Sequence, residues 1–363
     1  MKVGIIGCGN ISQAYFDGSR TFDMLEIVAC ADVNPGAAQE KADRNGVRAL
    51  TVDQLLSAPE IGLVINLTIP AVHAEIALKA LEQGKHVYGE KPLAITRDQG
   101  LALIGKSRET GLRVGSAPDT FLGGGLQTCR TLIDDGAIGP VVAGTAFMMG
   151  HGPEGWHPNP GFFYQKGAGP MFDMGPYYLT ALVHLLGPVK KVAAMTKASF
   201  PERIAGSPEL KGRKIPVHIP THYSGTLEFH SGALITLVMS FDVWEHAHSP
   251  LEVYGSEGSL KVPDPNTFDG PVTLHKAGVK GWQTVALSHG YTGGMRSIGV
   301  ADMICSIRDN RPHRCSLEMA FHVLDVMQSF EESSDSGRAL EIASTCRRPD
   351  ALPLGLKPGQ LTL

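Results

Sequence analysis

The sequence of 363 residues lacks the features that define several large classes of protein. Its six cysteines are scattered without a Cys-x-x-Cys pair, so their spacing indicates neither a disulfide framework nor a zinc site. A net charge of only −4 gives no electrostatic reason to expect nucleic acid or an anionic membrane as a partner. No apolar run approaches the length of a membrane span, and a strand-like segment follows Met1 at once, which leaves no room for a signal peptide. We therefore expect a cytoplasmic protein that binds neither nucleic acid nor membranes.

Glycine, by contrast, is abundant at 43 residues, and the chain is too long for one ordinary hydrophobic core. In its first third, short apolar segments alternate with helical patterns, which predicts a parallel sheet with right-handed crossovers. The strand candidates are Lys2–Gly7, Leu25–Ala31, Gly62–Leu67, Lys85–Tyr88 and Leu112–Gly115, and the helix candidates lie at about 10–20, 36–45, 70–83 and 96–110. This pattern predicts a doubly wound α/β domain over residues 1–120.

After about residue 120 the pattern changes to long segments of alternating polarity. These segments are Val141–Met149, Lys190–Ala198, His222–Phe229, Ala233–Phe241, Leu251–Tyr254 and Ser259–Val262, with helical patterns at about 122–135, 173–186, 292–309 and 316–336. Such alternation predicts a large, mostly antiparallel open sheet, here within an α+β domain over residues 121–363. We expect the tail at about 340–363 to wrap back over the surface.

The segment Gly7-Cys8-Gly9-Asn10-Ile11-Ser12 follows the first strand and opens the first helix, which is the context of a dinucleotide-binding fingerprint. Gly7 permits the tight turn, and Gly9 lets a pyrophosphate approach the backbone. The helix start at Asn10 and Ile11 offers free N–H groups to the phosphates. Ser12 stands where the motif usually has its third glycine, a change that affects helix packing more than phosphate binding.

Asp32 ends the second strand, where a carboxylate can hold both ribose hydroxyls and repel a 2′-phosphate. Val33 and Asn34 follow it, so no arginine is available there to accept NADP. These residues predict NAD as the cofactor and disfavour NADP. The alternative is a glycine turn in an unrelated α/β protein, with Asp32 as the N-cap of a helix.

The tetrapeptide Gly89-Glu90-Lys91-Pro92 closes a strand candidate and carries a lysine. The carboxyl end of a central strand is the place where open α/β sheets bind ligands. Because Pro92 fixes the turn, Lys91 is held in place. The alternative is a solvated surface lysine.

Four segments together resemble the Gfo/Idh/MocA family, named after glucose–fructose oxidoreductase, inositol dehydrogenase and a rhizopine-catabolism protein. They are the glycine loop and residues 68–73, 84–92 and 169–177. The resemblance implies a Rossmann domain followed by an α+β domain whose open sheet often forms an oligomer interface. It also implies an active site between the domains, over the nicotinamide, and a reaction at a secondary alcohol of a sugar, inositol or related polyol.

The same resemblance implies roles for individual residues. Lys91 corresponds to the catalytic lysine of the family, and Glu90 supports it. Thr68 and His73 belong to the loop and helix next to the cofactor. Glu90 and Lys91 also adjoin the cofactor. Asp173 matches the acid that orients the substrate.

Tyr177 departs from the commoner family pattern, in which a histidine serves as acid and base, although some members have tyrosine. Because the ordinary pKa of tyrosine is about 10 against about 6.5 for histidine, Tyr177 needs help to act as a base. A nearby lysine ammonium would stabilise its phenolate. Asp173 and Tyr177 are four residues apart on one predicted helix and so share a face. The alternatives are a core aromatic for Tyr177 and a helix cap for Asp173.

The loop of residues 150–169 carries aromatic side chains that suit the apolar C–H faces of a sugar ring. Trp156, His157 and Phe163 are the candidates for substrate binding, and the alternative is a loop that packs its own aromatics.

The histidine pair within residues 246–248 lacks a third ligand nearby, so we expect no metal.

The leading prediction is an NAD-dependent oxidoreductase that transfers a hydride between a secondary alcohol of a cyclic polyol, sugar or glycoside and nicotinamide. Two alternatives remain, a non-catalytic dinucleotide sensor and an NAD-using enzyme that cleaves glycosides through a keto intermediate.

The strand at 233–241 is largely apolar on both faces. We therefore expect a homo-oligomer, a dimer or tetramer, formed through the later sheet.

Overall fold

The computed structural model describes all residues from Met1 to Leu363. Its first six strands are β1 (Lys2–Ile6), β2 (Glu26–Ala31), β3 (Arg48–Leu50), β4 (Leu63–Asn66), β5 (His86–Gly89) and β6 (Val114–Ser116). They form one parallel sheet in the order β3-β2-β1-β4-β5-β6. The strand order reverses between β1 and β4, and the loops that follow these strands meet at the crevice where such sheets bind ligands.

The helices of this half are α1 (Ser12–Ser19), α2 (Pro35–Asn45), α3 (Val52–Ser57), α4 (His73–Glu82) and α5 (Arg97–Thr110). Their starts follow from capping: Asn34 accepts a hydrogen bond from the N–H of Gly36 at α2, and Thr51 forms a capping box with Gln54 at α3. The periodicity of the sequence does not predict β3 or α3, because such short elements give no readable period.

The second half contains β7 (Val141–Met149), β8 (Val189–Lys197), β9 (Glu202–Ile204), β10 (Lys214–Pro216), β11 (His222–Phe229), β12 (Leu234–Ser240), β13 (Leu251–Gly255), β14 (Gly258–Val262), β15 (Val272–Lys276), β16 (Gln283–Val285) and β17 (Leu340–Glu341). Nine of these strands form a sheet in the order β16-β15-β14-β13-β7-β12-β11-β8-β17, and β9 pairs with β10 alone. Every neighbouring pair in the large sheet is antiparallel except β7 and β12. The predicted fold class, with its mostly antiparallel second sheet, is confirmed.

Four helices complete this half, namely α6 (Gly124–Asp134), α7 (Gly169–Leu186), α8 (Ile298–Arg308) and α9 (Leu317–Ser336). Helix α7 begins four residues before its predicted start, because the first turn of a helix tolerates Pro170. Both α7 and α9 pack on one face of the nine-stranded sheet, where Ile235 and Leu237 are fully buried. On the opposite face the side chain of Leu234 is 51% exposed.

The last two helices return to the first sheet. Helix α8 packs against α1 and β6, and α9 packs against α5 and β6. One continuous hydrophobic core therefore runs through both halves. The tail also packs on the body of the protein, since Tyr291 Oη donates to the carbonyl of Gln360 at 2.6 Å and Leu361 is buried. None of the helices combines the length and the apolarity that a membrane span requires.

Candidate active site

The glycine loop after β1 has the geometry that a dinucleotide pyrophosphate requires. Gly7 adopts a φ of +104°, and a Cβ there would lie 2.5 Å from the carbonyl group of Leu67, so only glycine fits. A Cβ at Gly9 would meet no atom within 4 Å, which leaves that side of the loop open. The backbone N–H groups of Asn10 and Ile11 find no acceptor in the protein. Donors therefore lie at the start of α1, where phosphates bind.

Serine at position 12 is compatible with this loop. The Oγ of Ser12 donates to the carbonyl of Gly9 at 2.6 Å, and the side chain is fully buried. It therefore ties the loop to the first turn of α1 and stays out of the open side. The missing third glycine does not change the phosphate site.

Asp32 is fixed beside the glycine loop. Its Oδ2 accepts a hydrogen bond from the N–H of Cys8 at 2.8 Å, and its Oδ1 accepts one from the N–H of Asn34 at 2.8 Å. Asn34 rather than Asp32 caps α2, so the alternative of a helix cap for Asp32 is wrong. The next side chain, Val33, is 94% exposed. The carboxylate and an open apolar side chain thus lie together at the tip of β2.

Thr68 and His73 follow β4, but only Thr68 lies at the surface of the crevice. The His73 ring is buried, with Nδ1 at 2.7 Å from the carbonyl oxygen of Pro92 and Nε2 at 2.9 Å from that of Thr68. Burial lowers the pKa of His73, although the two carbonyls oppose this shift. His73 therefore braces the loops after β4 and β5 against each other. Its contact with the cofactor stays a prediction.

Glu90 and Lys91 follow β5 at the same edge of the sheet. Glu90 is buried, and its carboxylate accepts hydrogen bonds from Tyr15 Oη at 2.8 Å and from the N–H of Lys91 at 3.1 Å. Lys91 Nζ donates to the carboxylate of Asp173 at 2.8 Å and to its carbonyl at 2.7 Å. Burial disfavours the ammonium, but Asp173 and Tyr177 outweigh it and raise the pKa of Lys91. Lys91 is therefore a held cation and not a solvated surface lysine.

Tyr177 lies one turn after Asp173 on α7, with its ring centroid 5.2 Å from Lys91 Nζ. Its side chain is buried, and Oη accepts a hydrogen bond from Arg296 Nη2 at 3.1 Å. Burial raises the pKa of Tyr177, whereas Lys91 and Arg296 lower it, and the net direction is upward. The free protein thus keeps the phenol protonated at neutral pH, with two cations placed to stabilise the phenolate.

Arg296 and Asp119 complete this cluster, and the sequence analysis identifies neither of them. Arg296 Nη1 lies 3.3 Å from Asp119 Oδ1, and Asp119 Oδ2 accepts a hydrogen bond from the N–H of Gly299 at 3.2 Å. Burial raises the pKa of Asp119, although Arg296 opposes this shift. Asp119 follows β6, so the rule that places functional groups at the carboxyl ends of parallel strands could have found it. Arg296 lies in an irregular segment before α8 and gives no such signal.

Contacts with α1 fix the backbone of Arg296. A Cβ at Gly18 would lie 1.7 Å from the carbonyl oxygen of Arg296. The segment that contains Arg296 therefore approaches α1 more closely than a side chain at position 18 would allow. The next residue, Ser297, has a φ of +85°, and its Oγ donates to the carbonyl of Tyr15 at 2.8 Å. The helix that the glycine loop opens therefore also positions Arg296 beside Tyr177 and Asp119.

The loop of residues 150–169 is held by buried contacts. Arg203 Nε lies 3.1 Å from Glu154 Oε1, and both side chains are buried. Phe163 is buried in a small separate cluster with Phe241. Phe163 therefore contributes to the packing of the loop, and its contact with a substrate stays a prediction.

Trp156 and Phe162 are the exposed aromatic side chains of this loop, and His157 is half-buried. Trp156 is 69% exposed, and its ring centroid lies 5.4 Å from that of His157, which in turn contacts Phe163 at 4.9 Å. Neither a hydrogen bond nor a ring contact joins Trp156 or His157 to Lys91. The structure thus brings Lys91, Asp173 and Tyr177 together, whereas Trp156 and His157 contact each other elsewhere on the loop.

Comparison with known proteins assigns the chain to a family. Residues 1–117 match the oxidoreductase family with an NAD-binding Rossmann fold, and residues 126–261 match the GFO/IDH/MocA C-terminal domain. The chain is 30% identical over 271 residues to the dTDP-3,4-didehydro-2,6-dideoxy-alpha-D-glucose 3-reductase of Saccharopolyspora spinosa, covering 72% of this chain and 74% of the relative. It is also 26% identical to the levoglucosan dehydrogenase of Pseudarthrobacter phenanthrenivorans, over 72% of this chain and 73% of the relative. Identity to the D-glucoside 3-dehydrogenase of Escherichia coli is 29%, over 66% and 70% of the two chains.

Solved structures share the whole fold. A levoglucosan dehydrogenase in complex with NADH superposes with a TM-score of 0.82 at 22% identity, and an NAD-binding oxidoreductase from Klebsiella pneumoniae with 0.83 at 21%. Each comparison covers 95% of this chain and 99% of the other. Because the sequence identities are only 21% and 22%, these two superpositions show a shared fold.

The Rossmann sheet, the glycine loop and the matched families define the chain as an NAD-dependent oxidoreductase. More specifically, it belongs to the Gfo/Idh/MocA family. The predicted family, fold class, cofactor and enzyme class are confirmed. The curated relatives are named as dehydrogenases and reductases of sugars and glycosides, in agreement with the predicted function.

Proposed function

We propose that this protein transfers a hydride between a secondary alcohol of a cyclic polyol, sugar or glycoside and the nicotinamide of NAD. The observation that carries the proposal is the cluster of Lys91, Asp173 and Tyr177 at the carboxyl ends of the parallel strands. The named substrates of the curated relatives support the same class of alcohol. The family resemblance assigns the same three residues to catalysis.

The cofactor fits the residues around the glycine loop. The open side at Gly9 and the unpaired N–H groups of Asn10 and Ile11 would hold the pyrophosphate, with Gly7 making the turn. The carboxylate of Asp32 would hold the ribose hydroxyls. Its position beside the loop supports NAD as the preferred cofactor, because a 2′-phosphate would meet a negative charge.

In the proposed mechanism, bound NAD supplies the hydride acceptor. The residues of the chain orient the alcohol and move its proton. Asp173 and Lys91 bind the reacting hydroxyl, and Tyr177 in its phenolate form, after its own proton has passed to solvent, accepts the alcohol proton at Oη. Because Lys91 is cationic, it stabilises both the phenolate of Tyr177 and the negative charge that develops on the alcohol oxygen. Arg296 donates to the same phenolic oxygen and acts in the same direction.

We propose that the ring of the substrate reaches the accessible aromatics of the loop at 150–169. Trp156 offers an exposed face, and His157 lies beside it. An apolar aromatic face suits the C–H face of a pyranose or inositol ring. Glycosides with a second ring are then the natural extension of the substrate class.

Two other functions use the same fold, and one assay separates them. A dinucleotide sensor has no need of the buried cation, acid and phenol, so their presence favours catalysis. A glycoside-cleaving enzyme would recycle tightly held NAD and give no net NADH. We expect net NADH formation, followed by its absorbance, with at least one member of a panel of sugars, inositols and glycosides. Cleavage of a glycoside without net NADH, or no reaction with any member, would contradict the proposal.

We further propose a homo-oligomer, a dimer or tetramer, formed through the open face of the nine-stranded sheet. Leu234 and Met195 lie on this face and are 51% and 80% exposed. Val238 and Phe147 are in register on the same face and are half-buried. An apolar patch of this kind is typical of an interface.

The division of the chain and its location complete the proposal. We place the boundary between the two domains near residue 120, where the last parallel strand gives way to α6. A cytoplasmic location is supported by the six cysteines, which are all unpaired and buried, because disulfides are rare in reducing compartments.

A further inference from the structure

A second cavity, of about 570 Å³, lies at the amino end of β6. The catalytic cluster lies at the carboxyl end of the same strand, so the two sites are on opposite edges of the first sheet. Three segments line the cavity, within residues 107–114, 310–318 and 347–350. Only two of its fourteen lining residues are hydrophobic, so charged and polar residue types predominate around the cavity.

The lining is rich in positive charge. Four arginines, Arg113, Arg311, Arg314 and Arg347, face two carboxylates, those of Glu318 and Asp350. At the mouth Arg347 pairs with Asp350, and both side chains are more than half exposed. Such an exposed pair contributes little and opens easily.

Behind the lining of the cavity, one carboxylate forms ion pairs with two arginines. Asp302 is fully buried, and both Arg311 and Arg314 form ion pairs with its Oδ1. The Nε of Arg311 is buried and has no hydrogen-bond partner. A buried guanidinium N–H without an acceptor is costly, and an anion in the cavity would supply one once the Arg311 side chain turns this shielded N–H toward it.

Arg113 has no carboxylate partner at all. Its Nη1 donates to the hydroxyl of Ser306 at 2.9 Å and to the carbonyl of Arg311, while its Nε and Nη2 find no acceptor in the protein. Burial and the nearby Arg311 both lower the pKa of Arg113, which means that the surroundings disfavour its charge. An anion beside these two arginines would reverse that effect.

The start of α9 adds to the same field. Ser316 caps this helix of twenty residues, and both Ser316 and Leu317 line the cavity. The partial positive charge of a helix N-terminus favours an anion there. Guanidinium groups from three chain segments and the start of one helix thus line the same cavity.

We propose that this cavity binds a small molecule through a phosphate group, with Arg113 and Arg311 as its principal donors. Phosphate is favoured over a single carboxylate because its tetrahedral oxygens can accept from donors that arrive from several directions. The volume leaves room for a sugar or a nucleoside attached to the phosphate. This proposal does not depend on the proposed dehydrogenase reaction.

The test is calorimetric titration of the full-length protein with inorganic phosphate, pyrophosphate and citrate at low ionic strength. Saturating NAD is present throughout, so that the glycine loop does not bind the probes. We expect phosphate and pyrophosphate to bind with dissociation constants below about 10 mM, pyrophosphate the tighter, and both to weaken as salt is added. Arg113→Gln should weaken pyrophosphate binding by about tenfold, and Arg113→Lys by less.

Two further variants keep this test decisive. Arg308→Gln is the matched control, because Arg308 is an exposed arginine at the end of α8 that does not line the cavity, and it should bind like the wild type. If Arg113→Gln fails to fold, Arg347→Gln removes an exposed arginine at the mouth and should weaken binding by about threefold. Absence of binding by both phosphates, equal affinity in wild type and a folded Arg113→Gln, or binding of citrate alone would overturn the proposal.

Discussion

At the scale of single residues, the proposed catalytic cluster is organised around the phenol of Tyr177. Lys91 Nζ lies 5.2 Å and Arg296 Cζ lies 5.6 Å from the centroid of its ring. Asp173 holds the first cation and Asp119 holds the second. Because these ion pairs exist before a substrate binds, the side chains need little further ordering during the reaction.

The pH dependence of alcohol oxidation should report the charge of Arg296. Arg296 lowers the pKa of Tyr177 while burial raises it, so removal of the guanidinium should raise that pKa further. If the phenolate is the reactive form, Arg296→Gln should move the rising limb of kcat to higher pH by about one pH unit. The measurement is kcat against pH for this variant and for Arg20→Gln, an exposed control. An unmoved limb in a folded Arg296→Gln protein would show that Tyr177 is not the titrating base.

Lys91 and Tyr177 should act as a pair. Lys91→Ala and Tyr177→Phe should each lose at least about a hundredfold in kcat, the usual scale for a positioned acid–base group. Binding of NAD, measured by titration, should remain largely intact in both variants. Tyr177→His should keep part of the activity, because it restores the residue that is commoner in the family. Near wild-type turnover in Tyr177→Phe would instead point to another base, such as His157 or a water.

The choice of cofactor should depend on Asp32. The carboxylate would repel the 2′-phosphate of NADP, so the wild type should have the higher kcat/KM with NAD. Asp32→Ser should narrow that difference by removing the repulsion, and chiefly by improving the use of NADP. The two values of kcat/KM in each protein are the measurement. A wild type that uses NADP as well as NAD, or better, would contradict this prediction.

At the scale of elements, regular structure carries most of what could be read from the sequence. Lys91 at the end of β5, and Asp173 and Tyr177 on α7, are predictable because a strand end and a helix period place them. Arg296 belongs to no regular element, so no strand end or helix period predicts its position. That position depends on the close approach of an irregular segment to Gly18 of α1. Short strands such as β9 and β16 were equally unreadable, because their pairing is decided by distant neighbours.

The loop at 150–169 should determine affinity for the ring of the substrate. Trp156→Ala should raise KM for the best sugar by about tenfold, the scale of one lost stacking contact, and leave KM for NAD unchanged. Trp282→Ala is the control, because this partly exposed tryptophan lies outside the loop and packs near Lys261 of β14. Equal KM values for the sugar in wild type and Trp156→Ala, or robust activity only on short acyclic hydroxy acids, would refute this role.

At the scale of the whole molecule, the two sheets differ in how they are covered. Helices lie on both faces of the parallel sheet, whereas α7 and α9 cover only one face of the nine-stranded sheet. The strand of Leu234 to Ser240 shows the consequence, with Ile235, Leu237 and Met239 fully buried beneath the helices. Its other face is left to solvent or to a second copy. From the sequence alone both faces were apolar, so only the packing of the helices decides which one is open.

A second copy should therefore cover that face, and Leu234 provides the test. Leu234→Asp places a charge within the proposed interface, where burial without a partner is costly, and should convert the oligomer to a monomer. Leu101→Asp is the matched control, since Leu101 is 53% exposed against 51% for Leu234 but lies on α5. Light scattering at micromolar concentration should give an oligomer for the wild type and for Leu101→Asp, and a monomer for Leu234→Asp. A monomeric wild type would end the proposal, and an oligomer that survives Leu234→Asp would place the interface on another surface.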